Sequence, residues 1–380
     1  MNADARRSDA GARGTILLCV LASLTLPPVA GAQVRIDNAT VTRHTAAAGL
    51  ERTFRPLVKS TTDPFWIAYA VPVVDGDRVM CCWTSSSGTT WIEGGVAVRT
   101  SSDACCGACS IEPGRNDGIN ISSRDRTTRP VQLEASRFTV FYRIVSGAVE
   151  RIRVFSEECG LDAGGRAVQW IDDVKPSESV GLLMSLADKS TTDRVVDASV
   201  TAIALHADQS ADAALEVLVG RDRPERLRKK AAFWLGQARG RRGFDTLRRL
   251  VADDPSTAFR KSAVFALSQS GEADAVPTLI QLAKRDTSPE IRGEALFWLA
   301  QKAGRKAAEA ITDAIENDPE TDVKKRAVFA LSQLPKDEGV PLLIQIARGN
   351  RNPAVRKQAI FWLGQSKDPR ALAFFEEVLK

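Results

Sequence analysis

Cysteine and histidine are the residues best able to carry reactive chemistry in this 380-residue chain, which holds seven of the first and two of the second. Cys106-Gly107-Ala108-Cys109 is a C-x-x-C pair. Thioredoxin-type exchange needs the first cysteine of such a pair at a helix start, where its thiolate is stabilised. Here the turn-rich SIEPGRNDG follows, so redox catalysis stays an alternative reading. A four-cysteine zinc site is not expected either, with His44 and His206 both remote in sequence. Structural disulfides are the expectation for Cys81, Cys82, Cys105, Cys106, Cys109 and Cys159. Vicinal cysteines rarely bond to each other without strain, so Cys81-Cys82 is expected to pair across to Cys105-Cys106, leaving Cys109 with Cys159. Neither histidine has a nearby serine, cysteine or carboxylate in an arrangement that suggests a relay. There is no glycine-rich phosphate loop, no H-E-x-x-H and no calcium loop. No catalytic residue, metal ligand or cofactor is assigned, and a protein without activity of its own is preferred over an enzyme.

Disulfides require an oxidising compartment, and the N-terminus supplies a route to one. Arg6, Arg7 and Arg13 precede the apolar run TILLCVLASLTL at 15–26, and Ala30-Gly31-Ala32 offers small residues for cleavage. This is the pattern of a secretory signal peptide, cut near Ala32. The run is too short to span a membrane, and no later segment is long and apolar enough to do so. The expected location is the periplasm of a bacterium, where nucleic acid is not an expected partner. The seventh cysteine, Cys19, belongs to the signal. The other six all precede residue 160, which divides the chain. The expected parts are a signal peptide at 1–32, a disulfide-stapled β-rich domain at 33–175, degenerate capping helices at 176–220 and repeats at 221–380.

The repeats are visible as FWLGQ at 233–237, FALSQ at 265–269, FWLAQ at 297–301, FALSQ at 329–333 and FWLGQ at 361–365, each copy 32 residues after the last. Relative to each Phe, position −2 is always Ala (Ala231, Ala263, Ala295, Ala327, Ala359) and +2 always Leu (Leu235, Leu267, Leu299, Leu331, Leu363). Position −6 is always apolar (Leu227, Phe259, Ile291, Val323, Val355). Residues four apart share one helix face, so this is an amphipathic helix with a deep stripe. A second apolar pattern follows each copy, as in VPTLIQLAKRD at 276–286 and VPLLIQIARGN at 340–350. Two helices in 32 residues cannot bury their apolar faces alone, whereas stacked pairs share a core. The spacing therefore predicts an all-α solenoid. The five registered copies resemble the HEAT-repeat family, in its short bacterial form related to phycobilin-lyase-type repeats, over about 176–380. The arrangement of the whole chain is similar to exported bacterial HEAT-repeat proteins, a resemblance that brings no activity with it.

Polar positions recur in the same register. Five before each Phe is a base (Arg228, Arg260, Arg292, Lys324, Arg356). Eleven before it stands Asp222, Asp254, Asp286 or Asp318, with Asn350 in the last copy. Four after it is always Gln (Gln237, Gln269, Gln301, Gln333, Gln365). The resemblance implies Asp and Arg ladders in the turns. Physically, a carboxylate at a helix start can accept from orphan N–H groups while a guanidinium holds it. The residue after each Phe alternates: Trp234, Ala266, Trp298, Ala330, Trp362. Large and small side chains in alternation allow adjacent helices to interdigitate. The other reading is a row of aromatic anchors for a partner, formed by Trp234, Trp298 and Trp362.

Residues 33–173 read differently. VRIDNATV (34–41), FWIAYAVPVV (65–74), VAVR (96–99), SRFTVFYRIV (136–145) and VERIRVF (149–155) are β-rich, and Asp75-Gly76 and Ser146-Gly147 mark hairpin turns. A small Cys-rich antiparallel β domain is expected, with 151–176 leading into the first helices. One charged cluster stands out: eleven Lys and Arg between Arg221 and Arg249 against Asp222, Glu225 and Asp245. Arg239, Arg241 and Arg242 within it are candidates for an anionic partner. Taken together, these features predict an exported scaffold that binds a protein or peptide on the solenoid, with the β domain adding a second contact. An enzyme of the Cys-rich domain and an envelope anchor using the basic cluster are the alternatives. Oligomeric state is left open.

Overall fold

The computed structural model describes residues 34–75, 109–112, 136–157 and 159–380. The expected signal peptide, the VAVR run, Gly76 of the first expected hairpin turn, and Cys81, Cys82, Cys105 and Cys106 lie outside the described residues. The described residues all belong to one compact unit.

The segment FWIAYAV alternates between two buried faces, which makes its strand, β3 (Phe65–Pro72), apolar at every position. Phe65, Ile67, Tyr69 and Val71 face the helices, while Trp66, Ala68 and Ala70 face a second apolar cluster. Around β3 the chain places β2 (Thr40–Thr45), β8 (Ala167–Asp172), β5 (Arg137–Val145) and β6 (Ala148–Ser156) in the order β2-β8-β3-β5-β6. Ser146 and Gly147 join β5 to β6 with φ of 50° and 74°, the left-handed pair that a tight hairpin turn needs. The sheet is mixed rather than antiparallel: β8 runs parallel to both β2 and β3. A helix, α1 (Leu50–Val58), carries the chain over from β2 to β3, as a parallel connection requires. The stretch expected to lead out of the domain instead supplies a strand inserted between two earlier ones. The expected strand 34–41 is split at Asn38, whose φ is 51°, into β1 (Ile36–Asp37) and the start of β2. Together, β1, β7 (Leu161–Asp162) and β4 (Cys109–Ser110) make a small parallel sheet, with Cys109 opposite Leu161. Cys159, two residues earlier, is fully buried and disulfide-bonded.

Helices α2 (Pro176–Lys189), α3 (Asp193–Leu205) and α4 (Gln209–Leu218) follow, and the apolar core runs from the sheet through them into the repeats. The junction carries a buried polar chain. His206 Nδ1 donates to Ala202 O at 2.7 Å, so Nε2 accepts from Ser179 Oγ at 2.8 Å. Ser179 Oγ in turn accepts from Tyr69 OH at 2.7 Å, and Tyr69 OH accepts from Tyr142 OH at 2.5 Å. Each hydroxyl donates once, so strands β3 and β5 are tied to α2 and to the end of α3 with no orphaned donor. Burial pushes the Tyr69 phenol up to about 12 and the His206 imidazole down to about 4.

The repeats form two layers. The first layer holds α5 (Glu225–Ala238), α7 (Thr257–Gln269), α9 (Pro289–Ala303), α11 (Thr321–Ser332) and α13 (Pro353–Gln365). The second holds α6 (Gly240–Asp253), α8 (Ala275–Arg285), α10 (Ala308–Asn317), α12 (Lys336–Gly349) and α14 (Pro369–Val378). Helix starts carry Ser256, Ser288-Pro289, Asn352-Pro353 and Asp368-Pro369, whose side chains cap the first turn. Successive first-layer helices pack much more closely than successive second-layer helices. The array therefore curves toward the first layer, whose outward side is the inner face. At Gly236 the approach is so close that a Cβ would lie 2.1 Å from Ala266 O.

His206 makes acid stability testable. Its folded pKa lies below the 6.5 of the unfolded chain, so stability is complete above about pH 6.5 and falls as pH drops toward 4. Urea unfolding at pH 7 and pH 5 should show a loss in which His206 accounts for about 2 kcal/mol. In His206→Gln that share of the pH difference should vanish; an unchanged difference would refute the assignment.

Candidate functional site

Two sets of repeated side chains lie between the helices. The first is in the turns. Arg228 Nη2 binds Asp254 of the next repeat, and its Nε donates to Val219 O at 3.0 Å. Arg260 reaches Asp286 at 2.5 Å and Val251 O, while Arg292 forks onto Asp318 at 2.7 and 3.0 Å. The second carboxylate oxygen of each Asp accepts the N–H two residues on: Ser256, Ser288 and Glu320, each at 2.9 Å. Each Asp thus bends the chain into the next helix while an Arg of the previous repeat neutralises it. The pairs are buried, with Asp254 fully so. In the next gap Lys324 turns to Glu316 O at 2.7 Å, and Asn350, uncharged, keeps the turn bond by accepting from Asn352 N at 3.0 Å while its Nδ2 donates to Glu316 Oε1 at 3.0 Å. Arg356 caps Asn350 O at 2.7 Å. Asp222 has Val196 where an Arg would precede it by one repeat and stands 82% exposed.

The second set is aromatic. Phe233 stacks on Phe265 (centroids 6.0 Å, 20°) and Phe297 on Phe329 (5.6 Å, 7°). The gaps between these pairs are closed by Trp: Phe265 to Trp298 at 4.5 Å and Phe329 to Trp362 at 4.8 Å. Each Trp also meets the Phe before it edge-on. Eight rings make one continuous row from Trp234 to Phe361. Alanine at 266 and 330 leaves room for Phe–Phe stacking, and Trp fills the wider contacts, which accounts for the 64-residue period. Trp234 is 6% exposed, whereas Trp298 and Trp362 are half-buried against the core. Trp298 Nε1 donates to Glu294 at 2.7 Å. The indole N–H groups of Trp234 and Trp362 are buried without a partner. Phe233 is more open than Trp234 and Phe361, at 53% exposed, more open than Trp362; Phe265, Phe297 and Phe329 are half-buried. Positions ±2 on the same helix are buried against the second layer, about 200° round from position 0, so the Phe point away from that layer onto the inner face. The Gln at +4 lie on the same side. Gln301 Nε2 approaches Gln333 Oε1 at 3.5 Å, and Gln269 and Gln333 donate to Ser268 and Ser332.

The basic cluster is largely paired. Arg223 binds Asp188 at 2.5 Å, Arg226 binds Asp193 and Asp197, Arg242 binds Glu216 at 2.9 Å, and Arg241 bridges Asp245 and Asp274. Arg239 is 8% exposed, bonded to Asp212 at 2.6 Å and to the carbonyls of Ala204 and His206. Arg223, Arg226, Arg239 and Arg242 staple α2 to α4 onto the repeats, while Arg241 ties α6 to the start of α8. Ser179 and His206 are brought together across 27 residues, but both are fully buried, so no reactant reaches them. Among the described residues no group of His, Cys, Asp and Glu is arranged to hold a metal, and no helix is long and apolar enough to cross a membrane.

Residues 211–300 and 308–380 match the family model for HEAT repeats. This segment is a HEAT-repeat array. HEAT repeats suggest a protein-interaction scaffold. No curated protein matches the chain. Among solved structures, human deoxyhypusine hydroxylase in complex with glycerol is 16% identical, covering 53% of this chain and 90% of that one, with a TM-score of 0.30. The CpcE–CpcF complex of phycocyanin lyase from Nostoc sp. is 18% identical over 40% of this chain and 97% of that one, with a TM-score of 0.31. YibA of E. coli is 22% identical over 54% and 78%, with a TM-score of 0.35. At these scores none of the three carries an argument about activity.

The turn ladder predicts unequal costs for equal substitutions. Asp318→Ala leaves the Arg292 charge buried and unpaired and should cost about 3–5 kcal/mol in chemical unfolding. Asp222→Ala, in the exposed first copy, should stay within about 0.5 kcal/mol. Equal costs would show that the pairing does not hold the repeats together.

Proposed function

We propose that this protein is an exported scaffold that holds a protein or peptide partner along the inner face of its HEAT array and has no catalytic role of its own. The observation that carries the reading is the continuous row of partly open phenyl rings from Phe233 to Phe361. A stack of rings that faces away from the second layer contributes little to joining the layers, and rigid aromatic surface is what binding hot spots are made of. Export is supported by the basic and apolar pattern of residues 1–32. Anchoring to an anionic surface through Arg239, Arg241 and Arg242 is the weaker reading, because each already has a carboxylate partner.

Two measurements test this. Cell fractionation with N-terminal sequencing should find the protein in the envelope compartment, beginning near Gln33; a full-length cytoplasmic protein would sink the export reading. Affinity capture from envelope extract should recover a partner with the parent and lose it, at least tenfold, with Phe265→Ser/Phe329→Ser, while circular dichroism stays unchanged. A partner retained by that variant would move the binding site off the aromatic row.

A further inference from the structure

The inner face is chemically sorted. Position −4 carries Lys229, Lys261, Lys325 and Lys357, position 0 the phenyl rings, and position +4 the five glutamines. Residues four apart lie on one stripe of a helix, within about 40° of each other. Stacked five deep, the stripes become three parallel rows across the array: cationic, aromatic and amide. The cationic row has one apparent gap, at Gly293. A Cβ built there would lie 2.4 Å from Arg326 Cδ, so the Arg326 side chain occupies the space and carries positive charge across the gap. The row is therefore unbroken from α5 to α13.

From this pattern we infer that the inner face takes an extended, acidic peptide with apolar side chains at regular intervals. The inference rests on the scaffold reading and specifies its partner. Three features support it. The ammonium groups are available: Lys229, Lys261 and Lys325 have side chains about 40% exposed and lean on Glu225, Glu294 and Asp322. Exposed pairs of this kind contribute little and exchange readily for a ligand carboxylate. Glu290 is the further acid on this side; hydrogen bonding from Ser288 lowers its pKa first of all, and Arg326 and Lys261 lower it further. With Lys230 and Lys357 added, bases outnumber acids on the face, which favours an acidic partner. The glutamine row matches a peptide backbone, since a primary amide both donates and accepts. Finally, stacked helices stand about 8–10 Å apart, and an extended chain advances about 3.3 Å per residue. Each repeat then reads about three residues: one carboxylate for the amine, one apolar side chain for the ring, and backbone for the amide.

The test uses the whole protein and fluorescein-labelled peptides followed by anisotropy. (Glu-Leu-Ser)5 is the probe, with (Gln-Leu-Ser)5 lacking charge and (Glu-Ser-Ser)5 lacking apolar groups. Saturable binding of the probe, weakened at least tenfold in either control and by Lys261→Glu/Lys325→Glu, supports the proposal. Equal binding of (Glu-Ser-Ser)5 would reduce the face to a general anion binder, equal binding of (Gln-Leu-Ser)5 would remove the cationic row from recognition, and no binding of the probe would overturn the peptide class. Each of these refutes the proposal. If envelope capture still depends on Phe265 and Phe329, the scaffold reading survives that refutation; if capture is independent of them, both fail.

Discussion

One side chain per repeat holds the middle of this array in register: the aspartate at the entry to α7, α9 and α11. Its carboxylate does two things at once. One oxygen turns the chain by accepting the N–H two residues on, and the other receives the guanidinium of the preceding repeat, which at Asp318 reaches both oxygens. A buried carboxylate without that partner would be severely penalised, and a buried guanidinium without the carboxylate equally so. Neither group is tolerable alone, so neighbouring repeats are joined in one relative orientation. Local turn geometry and long-range assembly are therefore set by the same atoms. In the last gap the charge drops out on the acid side, as Asn350, while the turn bond is kept. The turn is thus the more general requirement and the ion pair the refinement.

With the helices held in this way, the side chains on either side of the stripe are free for different uses. Ala, Leu and the apolar residue at −6 fill the interlayer core. The Phe and Trp settle into a row whose period is twice the helix repeat, because two bulky indoles in succession would not fit between helices that approach as closely as α5 and α7 at Gly236. The aromatic row is the visible record of that steric limit, and it leaves the phenyl rings turned toward open space.

At the other end, the array does not begin with a repeat. It begins on a mixed sheet, through the hydrogen-bonded chain Tyr142, Tyr69, Ser179 and His206. The His206 carbonyl also receives Arg239 from the first full repeat. The sheet fills the place of an N-terminal cap: it covers the apolar faces of α2 and α3 that a further repeat would otherwise cover.

What the sequence by itself determined is what depends on short separations. Helix pairs, their 32-residue spacing, the buried positions at −6, −2 and +2, the hairpin at Ser146-Gly147 and the identity of the ladder positions follow from periodicity and from local turn chemistry, which act within a few residues. Only the tertiary structure decided matters that depend on partners far apart in the chain. Strand direction was one, because β8 comes about 100 residues after β3 and alternation carries no sense of direction. The fate of the basic cluster was another, since its charges are met by Asp188, Asp193, Asp197, Asp212, Glu216 and Asp274, acids outside the cluster itself. The pairing of Ser179 with His206 is equally invisible along the chain. The aromatic surface is the clearest case. The Trp are the larger rings, yet Phe233 is more open than Trp234 and Phe361 more open than Trp362. Which of two adjacent aromatic residues faces solvent is settled by the neighbouring helix, and no spacing within one helix contains that neighbour.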